Sequence, residues 1–173
     1  HHARRFYQGV IVTSFQTQDT VQICAVNDQA QPCPASVTAT VYDLTGKVGE
    51  TLRFTADVPA NGADKLAEHP VIRLVGNRRD QHFLVRDLLA PGVQHRNLHV
   101  FTEYKRYDLL DPQITTAVAA VAGALTVTLT AVRPAWFCTI TASGLAGEFS
   151  DNSFVLLPDQ PITLTFHARQ ADL

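Results

Sequence analysis

Apolar and polar residues alternate with a period of two along much of this chain. Leu125, Val127, Leu129 and Ala131 interleave with Thr126, Thr128 and Thr130, which puts aliphatic side chains on one face of an extended segment and hydroxyls on the other. The same pattern sets Ile162, Leu164 and Phe166 against Thr163 and Thr165, and Val37, Ala39 and Val41 against Thr38, Thr40 and Tyr42. Further strands are predicted over 9–15, 20–26, 51–58, 69–75, 97–104, 113–120, 136–142 and 153–157. Turn-forming residues separate them: Asn27-Asp28, Thr45-Gly46-Lys47, Asn61-Gly62, Pro91-Gly92, Ala122-Gly123, the stretch Gly144–Gly147 and Pro158-Asp159. Short strands at this spacing predict an all-β chain of β-sandwich architecture. Helical pattern is scarce: the opening HHARRFYQ reads as the last turn of a helix, and Arg86–Ala90 as a weak turn.

Composition marks a boundary. The segment from Tyr104 to Pro112 is charged and aromatic, and its Pro biases Asp111 to an extended conformation; beyond it the chain turns rich in Ala, Thr, Val and Leu. Two sandwiches are therefore expected, one over 8–105 and a smaller one over 106–173, with 1–7 as a leading remnant. The second is near the lower size limit for an independent core, and domains of that size lean on a neighbour.

Charge and length exclude several classes. With 14 Lys+Arg against 16 Asp+Glu in 173 residues, no basic surplus suited to a nucleic-acid backbone exists. No apolar run approaches the roughly 20 residues that span a bilayer, and HHARRF carries no signal-peptide core, so a soluble fragment is expected. An (αβ)8 barrel of about 250 residues does not fit. His1 and His2 read either as native residues or as the end of a tag. Three cysteines without a CxxC pair form neither a disulfide framework nor a zinc ribbon, and a Cys24–Cys33 bridge stays open beside free buried thiols. His95 and His99 stand four apart in a strand-like run, about 13 Å from one another, and are read as a solvated pair and not a metal site.

Candidate chemistry is thin. Glycoside hydrolysis needs two carboxyl groups flanking the bond, and Glu50, Glu68, Glu103, Glu148 and the twelve Asp sit in no catalytic context. Glu148 and Asp151 share a loop, where Asp151-Asn152 reads as turn chemistry. No nucleophile elbow, P-loop or dinucleotide fingerprint occurs, so no cofactor is expected. A flat ring can stack on a sugar face, which makes Trp136, the single Trp, the candidate sugar contact. The alternation of Trp136, Cys138 and Ile140 with Phe137, Thr139 and Thr141 favours packing for one of Trp136 and Phe137. Tyr104 and Tyr107 are expected to fill the crease between the sandwiches, and Arg4, Arg5 and Phe6 to anchor the leading segment.

The stretch Gly147-Glu148-Phe149-Ser150-Asp151-Asn152-Ser153-Phe154-Val155-Leu156-Leu157-Pro158-Asp159, followed by Ile162-Thr163-Leu164-Thr165-Phe166, resembles the end of β-mannosidases of glycoside hydrolase family 2. His1–Tyr7 resembles the segment leaving that family's catalytic barrel, and Tyr104–Pro112 its link before the last domain. Val26-Asn27-Asp28 and Asp43-Leu44-Thr45-Gly46-Lys47 resemble strand ends and a hairpin turn of the preceding domain. The resemblance implies two immunoglobulin-like sandwiches in tandem, supporting a catalytic barrel of the same polypeptide that cleaves terminal β-mannosyl residues with retention. The family's catalytic glutamates lie in that barrel, so none of the four Glu here inherits the role. Exo-β-glucosaminidases end in a similar F-S-D-N tail, and a free-standing glycan-binding or adhesion module is the further alternative.

Overall fold

The computed structural model describes residues 8–121 and 124–168. The leading segment, with the readings placed on His1, His2, Arg4, Arg5 and Phe6, and the Ala122-Gly123 turn lie outside the described residues. The chain is nearly all strand and divides into two compact units between Leu109 and Leu110.

The first unit holds β1 (Val10–Gln16), β2 (Thr20–Asn27), β3 (Cys33–Asp43), β4 (Val48–Val58), β5 (Gly62–Pro70), the short helix α1 (Val71–Val75), β6 (His82–Ala90) and β7 (Val93–Val100). One sheet has the order β1-β2-β5 and the other β4-β3-β6-β7, with every neighbouring pair antiparallel. Val10, Val12, Val21, Ile23 and Ala25 from the first sheet and Val37, Ala39, Val41, Leu84 and Leu88 from the second are buried in one cluster. This is the sheet-on-sheet packing of an immunoglobulin-like sandwich.

The stretch from Gly62 to Ala90 differs most from the sequence reading. The strand expected over 69–75 is instead the end of β5 followed by α1, whose buried Val71, Leu74 and Val75 follow the i, i+3, i+4 spacing of a helix. In five residues that spacing cannot be told from alternation. The turn expected at Arg86–Ala90 lies inside β6. Arg86 shares a face with Leu84 and Leu88 yet is a cation, and this interrupts the apolar alternation that would have revealed the strand.

Tyr107 explains where the unit ends. Its ring is buried, its hydroxyl accepts the Phe101 N–H at 2.9 Å, and it stands 2.9 Å from both the Arg79 and His82 carbonyls, to which it donates. Burial pushes the phenol up to about 12. This residue, read from sequence as filling a crease between sandwiches, closes the base of the first unit. Residues 106–109, grouped with the smaller domain on composition, fall with the first unit.

The second unit holds β8 (Thr115–Val121), β9 (Ala124–Thr130), β10 (Ala135–Cys138), β11 (Gly147–Phe149), β12 (Phe154–Leu156) and β13 (Ile162–Ala168). A four-stranded sheet of order β11-β13-β9-β8 is joined by the pair β10-β12. The alternation read at 125–131 and 162–166 becomes cross-strand register: Ile162 faces Leu129, Leu164 faces Val127 and Phe166 faces Leu125. Val127, Leu129, Leu164, Phe166, Phe149, Phe154 and Leu156 form the core, with Phe149 and Phe166 tilted at 5.1 Å. The edge strand β8 is exposed on both faces from Thr115 to Ala120.

Candidate functional site

The most specific motif in the sequence, Phe149-Ser150-Asp151-Asn152, is built as a latch. Phe149 enters the core as the last residue of β11. Ser150 extends the pairing with β13 by one rung: its N–H donates to the Thr165 carbonyl at 2.7 Å, and its hydroxyl accepts the Thr165 N–H at 3.0 Å. The Asp151 carboxylate accepts the Asn152 N–H at 2.7 Å. Asn152 then uses both ends of its amide on Ile140, accepting the N–H through Oδ1 and donating to the carbonyl through Nδ2, each at 2.9 Å. A side chain thus imitates the paired backbone bonds of a ladder, and the loop after β10 is tied to the turn before β12. Ser153, at φ 62°, makes that turn.

The first unit uses the same device. Asn27 is fully buried at the end of β2, donates to the carbonyls of Gln31 at 2.8 Å and Val58 at 3.1 Å, and accepts the Gln29 N–H at 2.9 Å. In the β3–β4 hairpin, one Asp43 oxygen accepts the Thr45 N–H, the Thr45 hydroxyl and the Lys47 N–H. Burial pushes the Asp43 carboxyl up, but those hydrogen bonds outweigh it and hold the group below its ordinary value.

Trp136 lies where β10 bulges. Ala135 pairs with Leu156 and Cys138 with Phe154, so three steps on β10 match two on β12, and Phe137 takes φ 53°. The bulge inverts the expected alternation. Ala135 is buried in the core with Cys138 and Ile140 packed against it, and neither aromatic joins that cluster. Trp136 is half-buried with its indole nitrogen inside, while Phe137 is 45% exposed. A half-buried indole offers a sugar only part of its ring.

His95 and His99 are not the solvated pair expected. Both lie on the inner face of β7, where they join its sheet to β1 of the other sheet. The Val12 N–H donates to His95 Nδ1 at 3.2 Å, and His95 is 4% exposed. For His99 the tautomer follows from its partners. The Gln16 amide nitrogen donates to the Phe101 carbonyl at 3.0 Å, which leaves Gln16 Oε1 to accept from His99 Nε2 at 2.8 Å. Ser14 therefore donates to His99 Nδ1, at 2.9 Å. Both ring nitrogens are engaged with the ring neutral, and burial, reinforced by the Arg86 charge, pushes His99 down to about 3. Only the residue types and their strand placement were legible in sequence; their partners on β1 come from the sandwich.

Cys24 and Cys33 are buried free thiols, so the bridge left open by the sequence is not formed. Burial pushes the Cys24 and Cys138 thiols up, away from the reactive thiolate. Among the described residues no cluster of His, Cys, Asp and Glu could hold a metal ion, and no helix is long and apolar enough to cross a membrane.

Comparison with known proteins agrees with this two-unit layout. Residues 19–106 match the mannosidase Ig/CBM-like domain family, and residues 109–173 match the Ig-fold domain family of mannosidases. The chain belongs to the mannosidase Ig-like domains. Among solved structures, this mannosidase-type Ig pair is similar to β-D-mannosidase from Dictyoglomus thermophilum, with 14% identity, a TM-score of 0.77, and coverage of 96% of this chain but 20% of that one. It is also similar to the exo-chitosanase CsxA of Amycolatopsis orientalis, with 18% identity, a TM-score of 0.63, and coverage of 90% of this chain and 23% of that one. The Ig pair thus spans about a fifth of each of those enzymes. No curated protein matches it.

Proposed function

We propose that this chain is the non-catalytic accessory region of a β-mannosidase-type exo-glycosidase of glycoside hydrolase family 2. In this reading a catalytic barrel elsewhere in the same polypeptide removes terminal β-D-mannosyl residues by a retaining mechanism, and the Ig pair stabilises it and shapes the rim of its cleft. The observation that carries the reading is the consecutive match of two mannosidase Ig-like families over 19–106 and 109–173. The site geometry supports it. The F-S-D-N residues hold backbone to backbone, and the two histidines hold sheet to sheet, so the most recognisable polar side chains serve rigidity. The edge strand β8, exposed on both faces, suits a small sandwich that rests against a neighbour.

The test compares this 173-residue chain with a chain extended upstream through the barrel, using 4-nitrophenyl β-D-mannoside. Product is expected only from the extended chain. Release by the shorter chain, or by neither, overturns the proposal. The likeness to an exo-chitosanase favours a second reading, an exo-β-glucosaminidase parent, in which the extended chain prefers 4-nitrophenyl β-D-glucosaminide. Direct glycan contact through Trp136 belongs to the proposal only as a weak contribution. Calorimetric titration with mannan oligosaccharides, repeated on Trp136→Ala, measures it; a flat titration removes it.

A further inference from the structure

The β8–β9 hairpin leaves one side of the second unit unfinished. β8 is the end strand of the sheet β11-β13-β9-β8, and every residue from Thr115 to Ala120 is exposed. Val118 stands opposite Val127 on the face that carries the core, yet Val118 is 62% exposed where Val127 is 4%. The apolar face of the sheet therefore runs one strand further than the layer β10-β12 packed on it. The strand's backbone edge is equally open. The Ala119 carbonyl turns toward β9, where it accepts the Thr126 hydroxyl at 3.1 Å, so by the alternation of a strand the N–H and C=O groups of Thr116, Val118 and Ala120 point away from β9. Proteins ordinarily blunt such an edge with a charge, a proline or a bulge. β8 has none of these: its register with β9 runs unbroken from Thr115 to Val121, and the sequence carries no charged residue and no histidine from Pro112 to Val132.

The residue order of β8 suits one partner, a second β8. Ala117-Val118-Ala119 reads the same in both directions, so a two-fold axis through Val118 sets Val118 against Val118 of the second copy, Ala117 against Ala119 and Thr116 against Ala120. Residues whose backbone groups point outward then meet only residues of the same kind, and each such antiparallel pair exchanges two hydrogen bonds. A two-fold interface also brings any charge near its axis beside its own copy; the uncharged run from Pro112 to Val132 removes that repulsion from both strands of the hairpin. Pairing with a strand of another sequence requires neither the palindrome nor the neutrality. We propose that β8 is a self-association edge. Two copies of this chain pair antiparallel through Thr115–Val121, which joins their four-stranded sheets into one and brings the two Val118 side chains together at the open end of each core. The edge stands whether or not the glycosidase reading does.

Sedimentation velocity of the 173-residue chain from about 1 to 500 μM spans the affinity expected of an interface this small. The mass is expected to rise with concentration to twice the 19.0 kDa of one chain. Val118→Lys and Val118→Glu are each expected to stay at the single-chain mass, and an equimolar mixture of the two to regain the doubled mass, because opposite charges then face one another across the axis. Amide hydrogen exchange reads the same contact without any substitution, which keeps the test independent of how well the variants fold. Raising the concentration of the unsubstituted chain is expected to slow exchange at Thr116, Val118 and Ala120 and to leave Ala117 and Ala119, which turn toward β9, unchanged. A single-chain mass throughout, assemblies larger than two, or a dimer that both substitutions leave intact overturns the proposal. So does a chain extended upstream that stays single while Val118→Lys destabilises it, which gives the edge to polypeptide beyond this chain.

Discussion

His99 makes the first unit sensitive to mild acid. In the folded chain the ring is held neutral by Ser14 and Gln16 and titrates only near about 3. In the unfolded chain it titrates near its ordinary value of 6.5. The folded pKa is depressed, so below pH 6.5 the unfolded state takes up a proton that the folded state refuses, and stability falls as pH falls. Each pH unit below 6.5 costs at most about 1.4 kcal/mol from this one group. Acidification from pH 7 to 4.5 thus removes about 2–3 kcal/mol. For a unit of this size that lowers Tm by roughly 10 °C. Differential scanning calorimetry across this range measures the drop. Trp136, in β10, assigns the transition of the second unit by its fluorescence, so the other transition belongs to the first. His99→Gln removes the titrating group, and its first-unit Tm is expected to vary much less over the same interval. A wild-type Tm that stays level between pH 6.5 and 4.5, or an equal drop in His99→Gln, would refute the network-locked neutral ring.

The other predictions concern the latches. Tyr107→Phe leaves the buried Phe101 N–H without its acceptor and should cost the first unit about 1–3 kcal/mol in urea unfolding; a loss below about 0.5 kcal/mol contradicts the anchoring role. Asn152→Ala frees both polar groups of Ile140 and should cost the second unit about 1–3 kcal/mol, read from Trp136 fluorescence. Gly147→Ala should be more disruptive than its size suggests, because a Cβ there runs into the His167 carbonyl and the Phe166 ring; calorimetry should show a lowered second transition and an unchanged first. Asp43 has a folded pKa below its unfolded one, so its contribution is present above about pH 4 and is lost as pH falls through the folded value. Asp43→Ala should therefore destabilise most at pH 7 and progressively less as pH falls below about 4.

The two-sandwich fold was legible because alternation survives wherever one sheet face is buried and the other is not, as at 125–131 and 162–166. It was not legible in β5, whose Gly-Ala-Asp-Lys-Leu-Ala-Glu-His-Pro carries a bulge opposite Ile23-Cys24, nor in β6, where Arg86 occupies a core-facing position. The bulge in β10 defeated the assignment of Trp136 and Phe137 for the same reason: one extra residue exchanges inside for outside. The F-S-D-N motif was legible as a family mark, but what it does was not. Its hydrogen bonds reach Ile140 and Thr165, 12 and 15 residues away, and only the folded chain brings them together. The histidine seam was hidden still deeper, since Ser14 and Gln16 are more than 80 residues from His99.

Each unit entrusts a strand connection to one primary amide, Asn27 in the first and Asn152 in the second. An aspartate at either position has no N–H to give, so its oxygens would confront the carbonyls of Gln31 and Val58, or of Ile140. Slow hydrolysis of these amides during storage is thus a form of chemical ageing that weakens the scaffold from within without cutting the chain. Asn27 is fully buried, while Asn152 lies in a half-buried turn followed by a serine, so Asn152 is the more open of the two to water.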